Sequence, residues 1–187
     1  VNQYPVFQYA PYDLALASKM AEVIDQYALD ILHVHYAIPH AISAILARDI
    51  AKHDVKIVTT LHGTDITVLG VDQLFKKMIA YAIEKSDAVT AVSNRLKEQT
   101  IELTQVNKDI TVIYNFINEN VYYKKELPNL KSQYGIKDEE KVLIHISNFR
   151  KVKRIEDIIK TFYYVQKQVD SKLLLVGDGP ESTHAYQ

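Results

Sequence analysis

The sequence predicts an α/β protein with parallel strands, divided into two domains. Short apolar, β-branched runs alternate with longer stretches whose apolar residues recur every three or four positions. This alternation is typical of parallel strands joined by right-handed helical crossovers. The periodicity is lost over residues 115–125, where Asn, Tyr and Lys are frequent. Several runs also end at Gly, His or Asp, at the edge where open α/β sheets bind ligands.

The bulk composition is globular and excludes several classes of function. Of 187 residues, 48% are hydrophobic and 24% are charged, and the net charge of −1 gives no electrostatic drive toward nucleic acid or membrane. Cysteine is absent, which excludes disulfides, cysteine zinc sites and cysteine nucleophiles. No apolar run approaches the ~20 residues that span a bilayer. We therefore expect small-molecule partners, no nucleic acid and no stable membrane insertion.

The first predicted domain covers residues 1–118 and begins with a loop over residues 1–12. A helix over 14–29 follows, indicated by apolar residues at helical spacing, with Asp13 as its predicted N-cap. The apolar runs 31–37 and 55–61 predict strands. Pro39 lies in the first turn of the helix predicted between them, which extends to about residue 52.

The next elements of this domain follow the same alternation. A helix is predicted over 72–85 because Leu74, Met78, Ile79 and Ala82 share one face. The run 88–92 predicts a strand, Ser93 caps a helix that ends near residue 103, and 110–114 predicts a further strand.

The second predicted domain covers residues 119–187. A short helix over 130–134 precedes a strand over 141–147, and a helix over 155–169 precedes a strand over 172–176. That last strand runs into the turn Gly-Asp-Gly-Pro at residues 177–180. We expect the apolar helix faces over residues 16–24 and 155–164 to form core rather than partner-binding surfaces.

The strand over 55–61 ends at the residues His62, Gly63, Thr64 and Asp65, which should lie on the ligand edge of the sheet. We expect His62 and Asp65 to orient a polar substrate, while Gly63 permits a sharp turn. An ordinary turn after a buried strand is an equally weighted alternative. Three histidines, His33, His35 and His40, lie in and after the preceding predicted strand. Because cysteine and paired carboxylates are absent, a hydrogen-bonded role is favoured over zinc binding, and no metal is expected.

Four cations crowd the loop after the strand over 141–147, namely Arg150, Lys151, Lys153 and Arg154. At the carboxyl end of a strand and the start of a helix, they predict a phosphate site rather than a solvated charge run. The turn at 177–180 can hold a base or ribose against its backbone, although it is also a common tight turn. No Gly-x-Gly-x-x-Gly, Walker A or Gly-x-Ser-x-Gly pattern occurs.

Several of these strings together resemble a family of glycosyltransferases. Residues 62–65, 93–96 and 176–180, together with Lys153, resemble the family-4 retaining glycosyltransferases of the GT-B fold in order and spacing. The longer strings 61–70, 114–117 and 145–154 resemble a narrower group within that family, whose members act in bacillithiol biosynthesis. The resemblance implies two Rossmann-like domains, both incomplete in this chain.

The resemblance also implies a reaction. Members of the narrower group transfer N-acetylglucosamine from UDP-N-acetylglucosamine to the hydroxyl of L-malate, with retention at the anomeric carbon, in the first step of bacillithiol biosynthesis. By analogy, no metal cofactor is expected, because cations stabilise the departing UDP. Analogy further suggests a homo-oligomer and a cytoplasmic location, in line with the absence of a signal-peptide pattern at residues 1–5.

Roles for individual residues follow from the same resemblance. Lys153 matches the lysine that holds the donor diphosphate, and Arg150 is expected to supply the charge of the family arginine that Asn148 replaces. His62 matches the histidine near the transferred sugar, so the expected catalytic set is His62, Arg150 and Lys153. The remaining donor contacts are expected from Ser147, Asn148, Gly177 and Asp178, and the acceptor contacts from Tyr36, Thr60 and Thr64.

Two features of the family are missing from the sequence, and three other functions stay open. The Gly-rich loop should precede residue 1 and the Glu-x7-Glu segment should follow residue 187, so we expect an internal fragment with little or no transferase activity alone. The alternatives are a family-4 transferase with a lipid or polysaccharide acceptor, a non-catalytic module that binds an anionic metabolite, and a scaffold whose charges are only solvated.

Overall fold

The computed structural model describes residues 11–70 and 72–185, so the loop predicted over residues 1–12 lies almost entirely outside the described residues. Two compact units make up the chain, the first ending at Asn118 and the second beginning at Glu119. Each unit contains a parallel sheet, which confirms the predicted α/β class. Among the described residues, no helix is long and apolar enough to cross a membrane.

The first unit is a four-stranded parallel sheet with helices between its strands. The sheet order is β1-β2-β3-β4, so each strand pairs with the next one in the sequence. The elements are α1 (Tyr12–Tyr27), β1 (Ile31–His35), α2 (Ile42–Ile50), β2 (Lys56–Leu61), α3 (Gln73–Lys85), β3 (Ala88–Ala91), α4 (Asn94–Thr104) and β4 (Ile110–Val112). Two short helical turns follow β1 and β2: Ala37–Ala41 overlaps the start of the helix predicted from Pro39, and Asp65–Leu69 was not predicted.

Local sequence signals explain most of these boundaries. Ser93 accepts a hydrogen bond from the backbone N–H of Leu96, and Asp72 accepts one from Leu74, as expected of helix N-caps. The Asp13 prediction is wrong, because α1 begins at Tyr12 without a side-chain cap. On the face predicted for α3, Ile79 and Ala82 are buried as expected, whereas Leu74 and Met78 are not, and Ile83 is buried in addition.

The core of the first unit lies on the face of the sheet that carries Ile57, Leu61 and Val89, all nearly inaccessible to solvent. Ile79 and Ile83 of α3 pack into the same cluster. Leu74 and Met78, which the sequence placed on the buried face of α3, are instead 79% and 42% exposed. Their positions leave an apolar outer surface on this helix.

The second unit contains a two-stranded parallel sheet, in which β5 (Lys141–Ile146) pairs with β6 (Ser171–Val176). The other elements are α5 (Leu130–Gln133), a 3₁₀ turn (Lys151–Lys153), α6 (Ile155–Val165) and α7 (Ser182–Ala185). Of α6, only Ile155 is fully buried, while Tyr163 and Tyr164 are 50% and 64% exposed. The expectation that this helix face forms core therefore holds fully only at Ile155, while Ile158, Ile159 and Phe162 are half-buried.

Candidate functional site

The loops after β1 and β2 are joined by one buried carboxylate. Asp65 is 1% exposed, and its oxygens accept hydrogen bonds from the backbone N–H of Ala37 at 2.9 Å and of Gly63 at 3.1 Å. The prediction that Asp65 orients a substrate is therefore wrong, because its side chain is occupied by backbone donors. It instead fixes the loop that carries Tyr36 against the loop that carries His62.

Two histidines from these neighbouring strands form a direct pair. The Nδ1 atom of His35 lies 2.8 Å from the Nε2 atom of His62, and the ring centroids are 4.9 Å apart. Burial lowers the pKa of His62, and the neighbouring His35 and His33 lower it further against an opposing effect of Asp65. At neutral pH His62 is thus an uncharged imidazole that can donate at one nitrogen and accept at the other.

Thr60 sits at the centre of a second polar chain on the same edge. Its Oγ1 atom lies 2.7 Å from the Nε2 atom of His33 and 2.7 Å from the Oγ1 atom of Thr90. Thr60 and Thr90 are each 8% exposed. A threonine hydroxyl has two lone pairs and one proton. If both neighbours donate, Thr60 keeps its proton for a substrate oxygen.

Tyr36 and Thr64, the other two predicted acceptor residues, lie at the same edge. The ring of Tyr36 is 5.2 Å from the ring of His62, and its backbone N–H donates to the carbonyl of Thr60 at 2.9 Å. Tyr36 has a left-handed φ of 76°. Thr64 is exposed. The structure therefore brings Tyr36, Thr60, His62 and Thr64 to one edge of the first unit.

The histidines of β1 and its following turn are hydrogen-bonded, as the sequence analysis favoured. His40 bonds the carbonyl of His35 through Nδ1 at 2.7 Å, beside the pairs that His33 and His35 make. Within residues 11–70 and 72–185, no group of three or more His, Cys, Asp or Glu side chains is arranged to hold a metal.

Arg95, whose direction the sequence left open, lines a cleft on this edge. The cleft has a volume of about 360 Å³ and lies between the turn after β2 and the length of α4, from Arg95 to Glu102 and Leu103. The Arg95 side chain is 68% exposed, and its nearest carboxylate, on Glu98, is 3.8 Å away. A cation with so loose a partner can turn toward an anionic ligand.

In the second unit, the turn after β6 packs tightly on the loop after β5. A Cβ atom added to Gly177 would lie 1.9 Å from the carbonyl oxygen of Ser147, and one added to Gly179 would lie 2.7 Å from that of Phe149. Both glycines also have left-handed φ angles, 142° and 158°. The glycines therefore allow the two loops to meet, with Phe149 buried beneath them.

The cations after β5 do not all have the same freedom. Arg154 forms an ion pair with Asp157 in the first turn of α6, so it is a poor candidate for phosphate. Arg150, Lys151 and Lys153 are exposed, and none has an ion pair in the described part of the chain. This leaves three cations beside the start of α6, where the helix dipole also favours an anion.

The other predicted donor residues lie on the loops after β5 and β6. Ser147 Oγ lies 2.8 Å from Nε2 of His145, while Asn148 is exposed. The Asp178 carboxylate accepts from the Ser182 hydroxyl at 2.6 Å and from the backbone N–H of Gly179 at 2.7 Å. These two bonds, the one from Ser182 more than the one from Gly179, hold the pKa of Asp178 below its usual value. Asp178 therefore shapes its own turn.

Sequence reasoning missed the supporting residues of the first unit. Thr90 was not singled out because a threonine in a strand is common, and its contact with Thr60 depends on the pairing of β2 with β3. The bond from Ala37 to Asp65 spans 28 positions. A rule that aligned residues 60 and 90 as cross-strand neighbours could have found the first contact.

Comparison with known proteins places this chain among sugar-transferring enzymes. The family described as Glycosyltransferase Family 4 matches residues 1–121. The chain is 62% identical over 181 residues to the N-acetyl-alpha-D-glucosaminyl L-malate synthase of Bacillus anthracis, covering 97% of this chain and 48% of that protein. The chain spans about half the length of the curated relatives it matches.

Two solved structures share the fold at low sequence identity. The structure of HepE from Anabaena, solved in complex with UDP, matches 92% of this chain and 46% of its own, with a TM-score of 0.70 and 22% identity. The structure of sucrose-phosphate synthase from Thermosynechococcus elongatus matches over 94% of this chain and 45% of its own chain, with a TM-score of 0.67 and 15% identity. Both have the GT-B fold, so the predicted fold class is confirmed.

Proposed function

The chain belongs to Glycosyltransferase Family 4, and from that premise we propose that it forms part of a retaining enzyme that transfers N-acetylglucosamine from UDP-N-acetylglucosamine to L-malate. The observation that carries the proposal is the 62% identity over 97% of the chain to a relative named for that product. Since the chain spans 48% of that relative, the activity is proposed for the full-length protein in which the chain lies.

The second unit supplies the donor contacts in this proposal. Arg150 and Lys153 are exposed and lack carboxylate partners in the described chain, so both can bind the diphosphate. A guanidinium offers two parallel donors to phosphate oxygens, and an ammonium adds a mobile charge. As the bond from sugar to UDP breaks, negative charge grows on the leaving oxygen, and these cations stabilise it more than they stabilise the ground state. No metal is needed for that step.

The turn after β6 supplies a surface for the nucleoside. The carboxylate of Asp178 is already bonded to Ser182 and Gly179, so the nucleoside is proposed to lie against the backbone of Gly177 and Asp178. Ser147 and Asn148 complete this side of the donor contacts. The close packing of Gly177 on Ser147 keeps the two loops in register.

The first unit supplies donors for an acceptor carboxylate. When His33 and Thr90 both donate to Thr60, the Thr60 proton is left for the anion, and such charge-assisted bonds are about twice as strong as neutral ones. Tyr36 and Thr64 add hydroxyl donors on the same edge. A dicarboxylate such as L-malate also needs positive charge, which Arg95 can supply from the cleft beside the turn after β2.

His62 is proposed to contact the transferred sugar. It is an imidazole of this edge that burial and two neighbouring histidines keep uncharged. An uncharged imidazole can hydrogen-bond a sugar hydroxyl without placing a positive charge beside an oxocarbenium-like centre. This role fits a transferase that lacks the paired carboxylates of glycoside hydrolases.

The test is an assay of UDP release on the full-length protein, with UDP-N-acetylglucosamine and a panel of acceptors that includes L-malate. We expect release that depends on L-malate. Lys153→Ala should lower kcat by about 10²–10³-fold, because a preorganised charge on the leaving group is lost. Lys141→Ala is the matched control, since Lys141 is an exposed lysine at the opposite end of β5, and its kinetics should equal the wild type.

The remaining outcomes identify the alternatives. Release with a lipid or polysaccharide acceptor but not with L-malate would keep the transferase and reject this acceptor. UDP binding without transfer to any acceptor would favour a non-catalytic module for anionic metabolites. Equal effects of Lys153→Ala and Lys141→Ala would remove the diphosphate role from Lys153.

A further inference from the structure

The histidine pair at the end of β1 and β2 has only one place for a proton between its members. His35 Nδ1 and His62 Nε2 are 2.8 Å apart, so one nitrogen donates and the other accepts. His62 has no other side-chain hydrogen bond to residues in the described part of the chain, which leaves its Nδ1 atom for a ligand. The state of Nε2 therefore decides whether Nδ1 presents a donor or an acceptor.

The surroundings of the pair determine the direction of this bond. His35 is exposed at the end of β1, whereas His62 is half-buried. The exposed ring keeps its other nitrogen within reach of water, so His35 can donate through Nδ1 to His62 Nε2 while its own Nε2 accepts from solvent. The other groups near the pair are His33, 4.8 Å from His35 between ring centroids, the ring of Tyr36, the carboxylate of Asp65 and His40.

We propose that His35 is a positioning residue for His62: its Nδ1–H donates to His62 Nε2 and so holds His62 in the tautomer whose Nδ1–H points to the substrate. The proposal deepens the proposed function, because the substrate in question is the transferred sugar. A hydroxyl of that sugar would accept from Nδ1–H. His35 itself touches no reacting atom and acts through His62.

The register of β1 on β2 brings the two histidines together. His35 pairs with Thr60 in the β1–β2 register, and His62 follows two residues later on the same face of the sheet. Asp65 holds the two loops together by its bonds to Ala37 and Gly63. The distance between the two rings is thus set by backbone contacts on both sides.

The first experiment measures the ring nitrogens of His62 directly, by long-range ¹H–¹⁵N NMR of the chain without substrate. We expect His62 to carry its proton on Nδ1. His35→Asn keeps a donor near the position of Nδ1 and should preserve that tautomer, whereas His35→Phe removes the donor and should release it. His53→Asn, at an exposed histidine beyond α2, is the control and should change nothing.

The result that overturns the proposal is a His62 proton on Nε2 in the wild type, or a tautomer that His35→Phe leaves unchanged. The wild-type measurement decides the matter even if a variant fails to fold.

A second readout links the tautomer to transfer in the full-length protein. His35→Phe should lower kcat about tenfold, which is the size of one lost hydrogen bond, with the KM for the donor little changed, and His35→Asn should recover most of the loss. Equal kcat for wild type and His35→Phe would overturn the link to the substrate. A full-length protein with no transfer whose His62 still carries Nδ1–H would support the pairing and refute the proposed function, so the two failures are distinguishable.

Discussion

Replacement of Asp65 by Asn tests how the carboxyl edge of the first unit's sheet is held. The carboxylate is 1% exposed and accepts from two backbone N–H groups, of which that of Ala37 is fully buried. The substituted asparagine would have one acceptor oxygen in place of two, and its amide group would face the second N–H. The shape of the side chain is kept, so the change isolates the lost acceptor.

The expected magnitude follows from the number of bonds. A hydrogen bond to a charged group contributes about 1.5–3 kcal/mol, and an orphaned buried donor costs about 1–3 kcal/mol. Asp65→Asn should therefore lower the free energy of unfolding of the first unit by about 2 kcal/mol. Asp65→Ala, which removes both acceptors, should lower it by about 4 kcal/mol on the same basis.

The assay is urea unfolding followed by far-UV circular dichroism, together with hydrogen exchange of the backbone amides of Ile57 and Ile110 in the core of the first unit. Asp72→Asn is the control: Asp72 is exposed and caps α3, and Asn is as good an N-cap as Asp, so the change should be within about 0.5 kcal/mol. An Asp65→Asn protein as stable as the Asp72→Asn protein would refute the reasoning.

Three further predictions concern other parts of the chain. Gly177→Ala should destabilise the second unit by about 2–4 kcal/mol in thermal unfolding, because the new Cβ meets the Ser147 carbonyl; Gly135→Ala, with open space around it, should cost about 1 kcal/mol. The pKa of Asp87 lies below its usual value, so the stability that its ionised form contributes should be complete above about pH 4 and be lost as the pH falls through the folded pKa. The difference in free energy of unfolding between wild type and Asp87→Asn, measured in urea, should therefore disappear at acid pH. Thr90→Val should raise the KM for the acceptor about fivefold, a loss near 1 kcal/mol, without changing donor affinity in the UDP-release assay.

The elements of the fold were predictable because their signals are local. Ser93 and its bond to Leu96 lie within one helical turn, and the apolar runs of β2 and β5 end within one residue of their predicted limits. The errors come from the same locality. Leu74 and Met78 have the right spacing for a buried face, but the sheet contacts a neighbouring stripe of α3, and no spacing rule distinguishes the two stripes.

The sequence indicated candidate site residues, whose roles stay predictions, but it did not indicate the contacts that support them. The strand ends and the family resemblance indicated His62, Thr60 and Lys153. The role of Asp65 depends on Ala37, and the need for Gly177 depends on Ser147, at 28 and 30 positions' distance. The ion pair of Arg154 with Asp157 could have been predicted from the sequence, because residues three apart at the start of a helix are neighbours.

In the first sheet, residues at the amino ends of the strands (the amino edge) contribute to stability, whereas residues at the carboxyl ends (the carboxyl edge) are the candidates for chemistry. At the amino edge, Asp87 contacts Arg48 and Lys56 and accepts from the backbone of Ile57, so charge is neutralised by ion pairs. Burial opposes these contacts, and they still lower the pKa of Asp87. At the carboxyl edge, His62 contacts His35 and the ring of Tyr36, and the Asp65 carboxylate nearby is occupied by backbone N–H groups. Ion pairs at the carboxyl edge would compete with an anionic ligand, whereas imidazole and hydroxyl groups leave donors from which a ligand can accept. Substitutions at the amino edge should therefore change stability alone, and Asp65 is the position where the two effects meet.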